Sequence, residues 1–359
     1  MNFKSLLRKE IVRGHGYSAE PIFPGIKLDA NELPYDVTKE HDIVAEAIRT
    51  LPFNRYPDPA ATELREAIGK KLGVNPDMIM LGNGSDELIQ ILLLALGAGR
   101  PRALVPIPGF AMYEVIPPFL GYELIRVPLD KEFDLNLTRI LKLSYQARPK
   151  IIFIGYPNNP TGRCFSQDRI IKILEGFPGL VLIDEAYFDF SGKSFISYLG
   201  HYPRLVIART LSKIGLAGLR VGILLGHTDL IRELTKVKLP YNVSIFSQHM
   251  ARIAMGKKFL FEDKINEVIR ERERLWNELS ALPQVHPFPS DANFILFRVK
   301  EKAQVVHHLL YEKGISVRNL AGLSGLKGCL RVTVGTPAEN RAFLQALKQA
   351  VVEAGKKEE

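Results

Sequence analysis

Cysteine is almost absent. Cys164 and Cys329 are the only two in 359 residues, and they form no Cys-x-x-Cys pair. That spacing argues against a disulfide scaffold and a cysteine zinc site. The eight histidines are scattered, with His307-His308 the only adjacent two, and no metal site is expected. Long hydrophobic runs are also missing. The longest, Leu88 to Ala98, is interrupted by Gln90 and falls short of the roughly 20 residues a bilayer needs. The basic N-terminus lacks the apolar stretch of a signal peptide. A cytoplasmic protein is the expectation.

Charge of one sign is in excess but not clustered. Lysine and arginine exceed aspartate and glutamate by 48 − 39 = +9. The basic runs are short: Arg8-Lys9, Lys70-Lys71, Lys257-Lys258, and Arg270 to Arg274 broken by glutamates. No helix carries the dense basic stripe with interleaved aromatics that nucleic acid binding uses. Neither nucleic acid nor a membrane is expected as a partner, whereas small anionic substrates fit the balance. Hydrophobic residues at 46% and charged residues at 24% match ordinary soluble usage and exclude wholesale disorder, collagen and coiled coil.

The length suggests about two domains. Residues 1–40 are rich in Gly and Pro and read as an N-terminal arm, part of it packing on a small domain. Residues 41–246 read as a large, cofactor-binding domain and 247–359 as a smaller C-terminal one. In the large part, Thr62 to Leu72 predicts a helix stopped by Gly73, and Asp86 to Leu96 a second after a Gly-rich turn. Ala103 to Val105, Ile151 to Ile154, Leu180 to Ile183 and Leu205 to Ala208 are short apolar runs without alternation, the mark of strands buried on both faces. Strands spaced by helices give an α/β fold with a mostly parallel central sheet flanked by helices. The C-terminal part predicts a helix over Phe259 to Leu282, strands over Asn293 to Val299, Ile315 to Arg318 and Leu330 to Val334, and a closing helix from Ala338, an α+β pattern.

Ligands of open α/β sheets bind beyond the carboxyl ends of the strands. There the sequence places Asn158-Asn159-Pro160-Thr161-Gly162, Asp184-Glu185-Ala186-Tyr187, and Thr210-Leu211-Ser212-Lys213 followed by Arg220. Gly82-Asn83-Gly84-Ser85-Asp86 opens the second helix. Each alone reads as turn, cap or surface chemistry. Together, an acid, a lysine, an arginine and a Gly-Ser helix start suit pyridoxal 5'-phosphate. That cofactor needs an amine to bond it, a carboxylate beside its ring nitrogen, and backbone N–H groups with a cation for its phosphate. Lys213 would then also act as the proton-transferring base, its pKa lowered by Arg209 and Arg220.

These segments resemble the fold-type-I aminotransferases, and within them the histidinol-phosphate aminotransferase branch. The resemblance runs nearly end to end, through Leu28 to Glu32, Asn54 to Pro59, Leu81 to Glu87, Asn158 to Gly162, Asp184 to Tyr187, Thr210 to Arg220, Ser290 to Phe294 and Leu330 to Thr336. It implies that Lys213 bonds the cofactor, Asp184 pairs with its ring nitrogen, and Asn159 and Tyr187 hydrogen-bond its phenolic oxygen. Gly84, Ser85, Asp86, Thr210, Ser212 and Arg220 take the phosphate positions, and Phe110 stacks on the ring. Tyr56 looks like the residue that reaches the neighbouring subunit's site, which implies a homodimer.

Arg331 and Arg318 look like the substrate's anion contacts, with Tyr17 and Asn31 as lids over it. The implied reaction interconverts L-histidinol phosphate and 2-oxoglutarate with imidazole acetol phosphate and L-glutamate, a step of histidine biosynthesis. An aromatic or broad-range aminotransferase and a threonine-phosphate decarboxylase are the alternatives. One departure stands out: Lys213 to Arg220 spans seven positions where many relatives have eight.

Overall fold

A computed structural model describes residues 3–14, 16, 23–38, 43–257, 259–300 and 302–356. In chain order its strands are β1 (Ile26–Leu28), β2 (Ile79–Asn83), β3 (Arg102–Ile107), β4 (Glu123–Pro128), β5 (Ile151–Gly155), β6 (Leu180–Asp184), β7 (Leu205–Thr210), β8 (Val221–Leu225), β9 (His286–Pro287), β10 (Phe294–Arg298), β11 (Ile315–Asn319) and β12 (Cys329–Thr333). Seven of them form one sheet in the order β2-β8-β7-β6-β5-β3-β4. Every pair is parallel except those of β8, which runs against both β2 and β7.

The apolar runs explain this sheet. In β5, β6, β7 and β8 every residue is buried. Alternate side chains feed two separate cores: Ile152, Ile154, Ile183 and Ile207 on one face, Ile151, Phe153, Leu182 and Val206 on the other. The second core is closed by the helix Ser85–Leu96, which buries Leu88, Ile89, Ile91, Leu92 and Leu93. The helix Thr62–Leu72 ends where the sequence places its stop, with Gly73 in the left-handed region (φ 68°).

The second sheet has the order β1-β11-β12-β10-β9. Its first member is not among the strands read from sequence: residues 26–28, within the N-terminal arm, form an edge strand parallel to β11. The remaining pairs are antiparallel, and the helices Phe259–Ser280, Ala303–Glu312 and Pro337–Lys356 belong to the same C-terminal region. One hydrophobic core runs through both sheets, joining Ile183 and Ile207 to Phe294, Ile315 and Val332. Among the described residues no helix is long and apolar enough to cross a membrane, and no group of three or more His, Cys, Asp or Glu could hold a metal ion.

Candidate active site

The carboxyl ends of β5, β6 and β7 share one edge of the large sheet. Because β8 is antiparallel, its amino end lies at that same edge, and so does the helix start that follows β2. Asn159, Asp184, Thr210, Arg220 and Ser85 are therefore delivered to one place by topology. With Asn31, Asp86, Phe110, Tyr187, Ser212, Lys213, Arg318 and Arg331 they line a cavity of about 640 Å³. A second cavity, of about 390 Å³ and lined in part by Arg65, Lys238 and Asn242, holds none of them.

Asp184 ends β6 and is buried (6% exposed). The Tyr113 hydroxyl donates to its Oδ2 at 2.6 Å, and the Ala186 backbone N–H to its Oδ1 at 3.0 Å. Burial pushes its carboxyl up to about 6, against the pull of those two donors. Such a carboxylate favours a cationic partner within the cavity. Lys213 donates from Nζ to the Ala30 carbonyl at 3.1 Å. Burial brings its amine down to about 8, aided by the Arg331 charge and opposed by Glu32. An amine tuned this way is neutral often enough near physiological pH to act as nucleophile and base.

An anion cradle lies at the other end. Gly84 has φ 85° and precedes the helix Ser85–Leu96. A Cβ there would sit 2.4 Å from Arg220 Nη2, so glycine is needed for the guanidinium to reach the turn. The shortened segment thus still brings Arg220 to the helix start. Arg220 Nη1 lies 3.5 Å from Ser212 Oγ and its Nη2 3.7 Å from Asp86. Free N–H groups, a hydroxyl and a guanidinium at a helix N-terminus suit a phosphate. Asp86 itself keeps a buried Oδ1 without a partner, and burial raises its pKa.

Two arginines of the cavity come from adjacent strands. Arg318 of β11 and Arg331 of β12 stand opposite in the antiparallel register. Arg331 donates to Asn159 Oδ1 at 2.6 Å and to the Asp29 carbonyl at 2.5 Å. Asn159 in turn donates to the Tyr187 oxygen at 3.3 Å. Phe110 meets Tyr113 edge-on, 5.4 Å between centroids.

A family model described as "Aminotransferase class I and II" matches residues 24–347. The chain belongs to that family. Histidinol-phosphate aminotransferase of Aquifex aeolicus is 41% identical over 349 residues, 96% of this chain and 98% of that protein. Histidinol-phosphate aminotransferase 1 of Carboxydothermus hydrogenoformans is 44% identical over 324 residues, covering 90% and 92%. The same fold is seen in the histidinol-phosphate aminotransferase of Sinorhizobium meliloti, solved in complex with pyridoxal-5'-phosphate. It has TM-score 0.87 and 22% identity, over 97% of this chain and 98% of that one.

One sequence expectation changes. Arg209 does not act on Lys213. Its guanidinium is buried against Glu185 (2.8 Å) and lies 3.7 Å over the Phe188 ring, whereas the neighbouring charge that lowers Lys213 most is Arg331. Asn31, expected over the substrate, lines the cavity, is 1% exposed and is hydrogen-bonded to Tyr187 and Thr333. Tyr56, expected to serve the neighbouring subunit, is 80% exposed and stacks on Tyr241 at 4.6 Å. Tyr17 lies outside the described residues. Tyr113 was missed, because a tyrosine in the apolar helix Met112–Phe119 reads as core packing, and no local signal marks its aspartate.

Proposed function

We propose that the chain is a pyridoxal 5'-phosphate-dependent aminotransferase of the cytoplasm that interconverts L-histidinol phosphate and 2-oxoglutarate with imidazole acetol phosphate and L-glutamate. The observation that carries this reading is the pairing of relatives of that name at 41–44% identity over at least 90% of the chain with a cavity whose donor set fits the cofactor. When bound, that cofactor supplies an aldehyde for the substrate amine and a ring that takes up the electron pair released at the substrate Cα.

The rest is work for side chains. Lys213 bonds the cofactor and then carries a proton to and from the substrate carbon, for which an amine pKa of about 8 is suited. Asp184, fixed by Tyr113, keeps the ring nitrogen protonated. Gly84, Ser85, Thr210, Ser212 and Arg220 would hold the phosphate, and Phe110 would pack against the ring. Arg331 and Arg318 receive the substrate's carboxylate or phosphate, with planar guanidinium groups suited to both.

A homodimer in which Tyr56 reaches the neighbouring cofactor belongs to the same reading. It is supported by the solvent-facing pair of Tyr56 and Tyr241, 80% and 42% exposed, whose rings stack at 4.6 Å.

The test is spectroscopic. Loaded protein should be yellow, lose that colour on addition of L-histidinol phosphate alone, and regain it with 2-oxoglutarate. Lys213→Ala should abolish turnover and the colour. A yellow protein indifferent to histidinol phosphate would overturn the donor assignment.

A further inference from the structure

Tyr187 and Asn31 come from distant parts of the chain, yet their side chains meet behind the cavity at 2.9 Å. The direction of that hydrogen bond follows from donor accounting. Thr333 Oγ1 already accepts the Asn31 backbone N–H at 2.9 Å, so its own hydrogen is available for Asn31 Oδ1, 3.3 Å away. That contact orients the amide with its oxygen toward Thr333 and its NH₂ toward Tyr187. Asn159 is fixed in the same manner, because Arg331 occupies its Oδ1 and only its NH₂ remains for Tyr187.

The Tyr187 oxygen therefore accepts twice. Its single hydrogen has neither amide as acceptor, and the open direction is the cavity that Tyr187 lines.

We infer that Asn31 is a positioning residue of this site: its amide, oriented by Thr333, turns the Tyr187 hydroxyl hydrogen toward the ligand oxygen in the cavity. The inference rests on the cofactor reading above and deepens it. The backbone suits the role. Asn31 has φ 56°, a left-handed conformation that asparagine tolerates better than most residues. Asn293 further anchors it by donating to its carbonyl at 3.0 Å. Thr333 lies on β12 and Asn293 immediately precedes β10, so the small sheet sets the direction of a hydroxyl belonging to the large one.

The charged and titratable groups around Tyr187 are Arg331, Asp184, Lys213 and Tyr113. Burial raises its hydroxyl pKa, aided by Asp184 and opposed by Arg331 and the two amides; Lys213 Nζ stands 6.0 Å from the ring centroid. A hydroxyl hydrogen aimed at a ligand oxygen favours that oxygen's anionic form, so losing the aim should raise the pH at which the visible band of loaded protein titrates.

The experiment is a pH titration of that band, with the cofactor dissociation constant measured alongside. Asn31→Gly should raise the midpoint by about half a unit to one unit and weaken cofactor binding by about two- to tenfold, the range of one hydrogen bond. In a Tyr187→Phe background the same substitution should change neither, because its path is gone. Thr333→Val, which keeps side-chain shape while releasing the amide, should move the midpoint in the same direction. It decides the matter if Asn31→Gly does not fold.

An Asn31→Gly midpoint equal to wild type overturns the assignment, and so does a shift that persists without the Tyr187 hydroxyl. In both cases the cofactor reading stands. Wild-type protein that takes up no cofactor overturns both together.

Discussion

Arg318 and Arg331 stand directly opposite each other on antiparallel strands, β11 and β12, and both line the cavity. Like charges placed directly opposite on a sheet repel each other. The repulsion reaches Lys213, whose amine the Arg331 charge helps hold near 8. The neutral amine is the form that captures an aldehyde. The rate of cofactor uptake by cofactor-free protein should therefore rise about tenfold per pH unit below that value and level off above it. Arg331→Gln should move the levelling point to higher pH. Stopped-flow absorbance measures this, and an unmoved profile would show that burial alone tunes the lysine.

Asp184 makes a second pH dependence, with the opposite sense from an ordinary paired carboxylate. Its folded pKa is raised to about 6 from an ordinary 3.8. Across that window the folded, cofactor-free protein holds a proton that the unfolded chain has lost. Stability therefore falls as pH rises from about 4 to about 6, by up to about 3 kcal/mol from this group. Thermal melts of Asp184→Asn should lack that contribution. Tyr113→Phe removes a donor that lowers the carboxyl, and should extend the window upward. A wild-type slope in Asp184→Asn would refute the assignment.

Much of this site was legible in sequence, for a physical reason. β5, β6 and β7 are continuously apolar because both faces are buried, so the first polar residues after each run, among them Asn159, Asp184 and Thr210, announce themselves as strand ends. Lys213 follows the last of them closely. What stayed hidden depends on distant pairings. Tyr113 meets Asp184 across 71 positions and Asn31 meets Thr333 across 302. β1 is three residues long and is a strand only because β11 lies beside it. The reversal of β8, which brings Arg220 to the start of the helix Ser85–Leu96, leaves no local mark either. Arg209 was misjudged because nearness in sequence to Lys213 does not reveal a side chain turned toward Glu185.

That buried pair gives the last prediction. Glu185 has a fully buried side chain (0% exposed), and Arg209 is nearly so at 9%. The glutamate accepts from Arg209 at 2.8 and 3.0 Å, from the Ser194 hydroxyl, and from the Phe195 backbone N–H at 2.7 Å. All its oxygens are thus used, one residue after Asp184. Removing one partner strands a buried charge, so Glu185→Ala should cost about 3–5 kcal/mol in urea unfolding of cofactor-free protein. Replacing both Glu185 and Arg209 by methionine should recover much of that loss, because no uncompensated charge remains. If the double variant is no more stable than Glu185→Ala, the role of the pair lies in shaping the Asp184–Tyr187 turn, and cofactor affinity should fall with it.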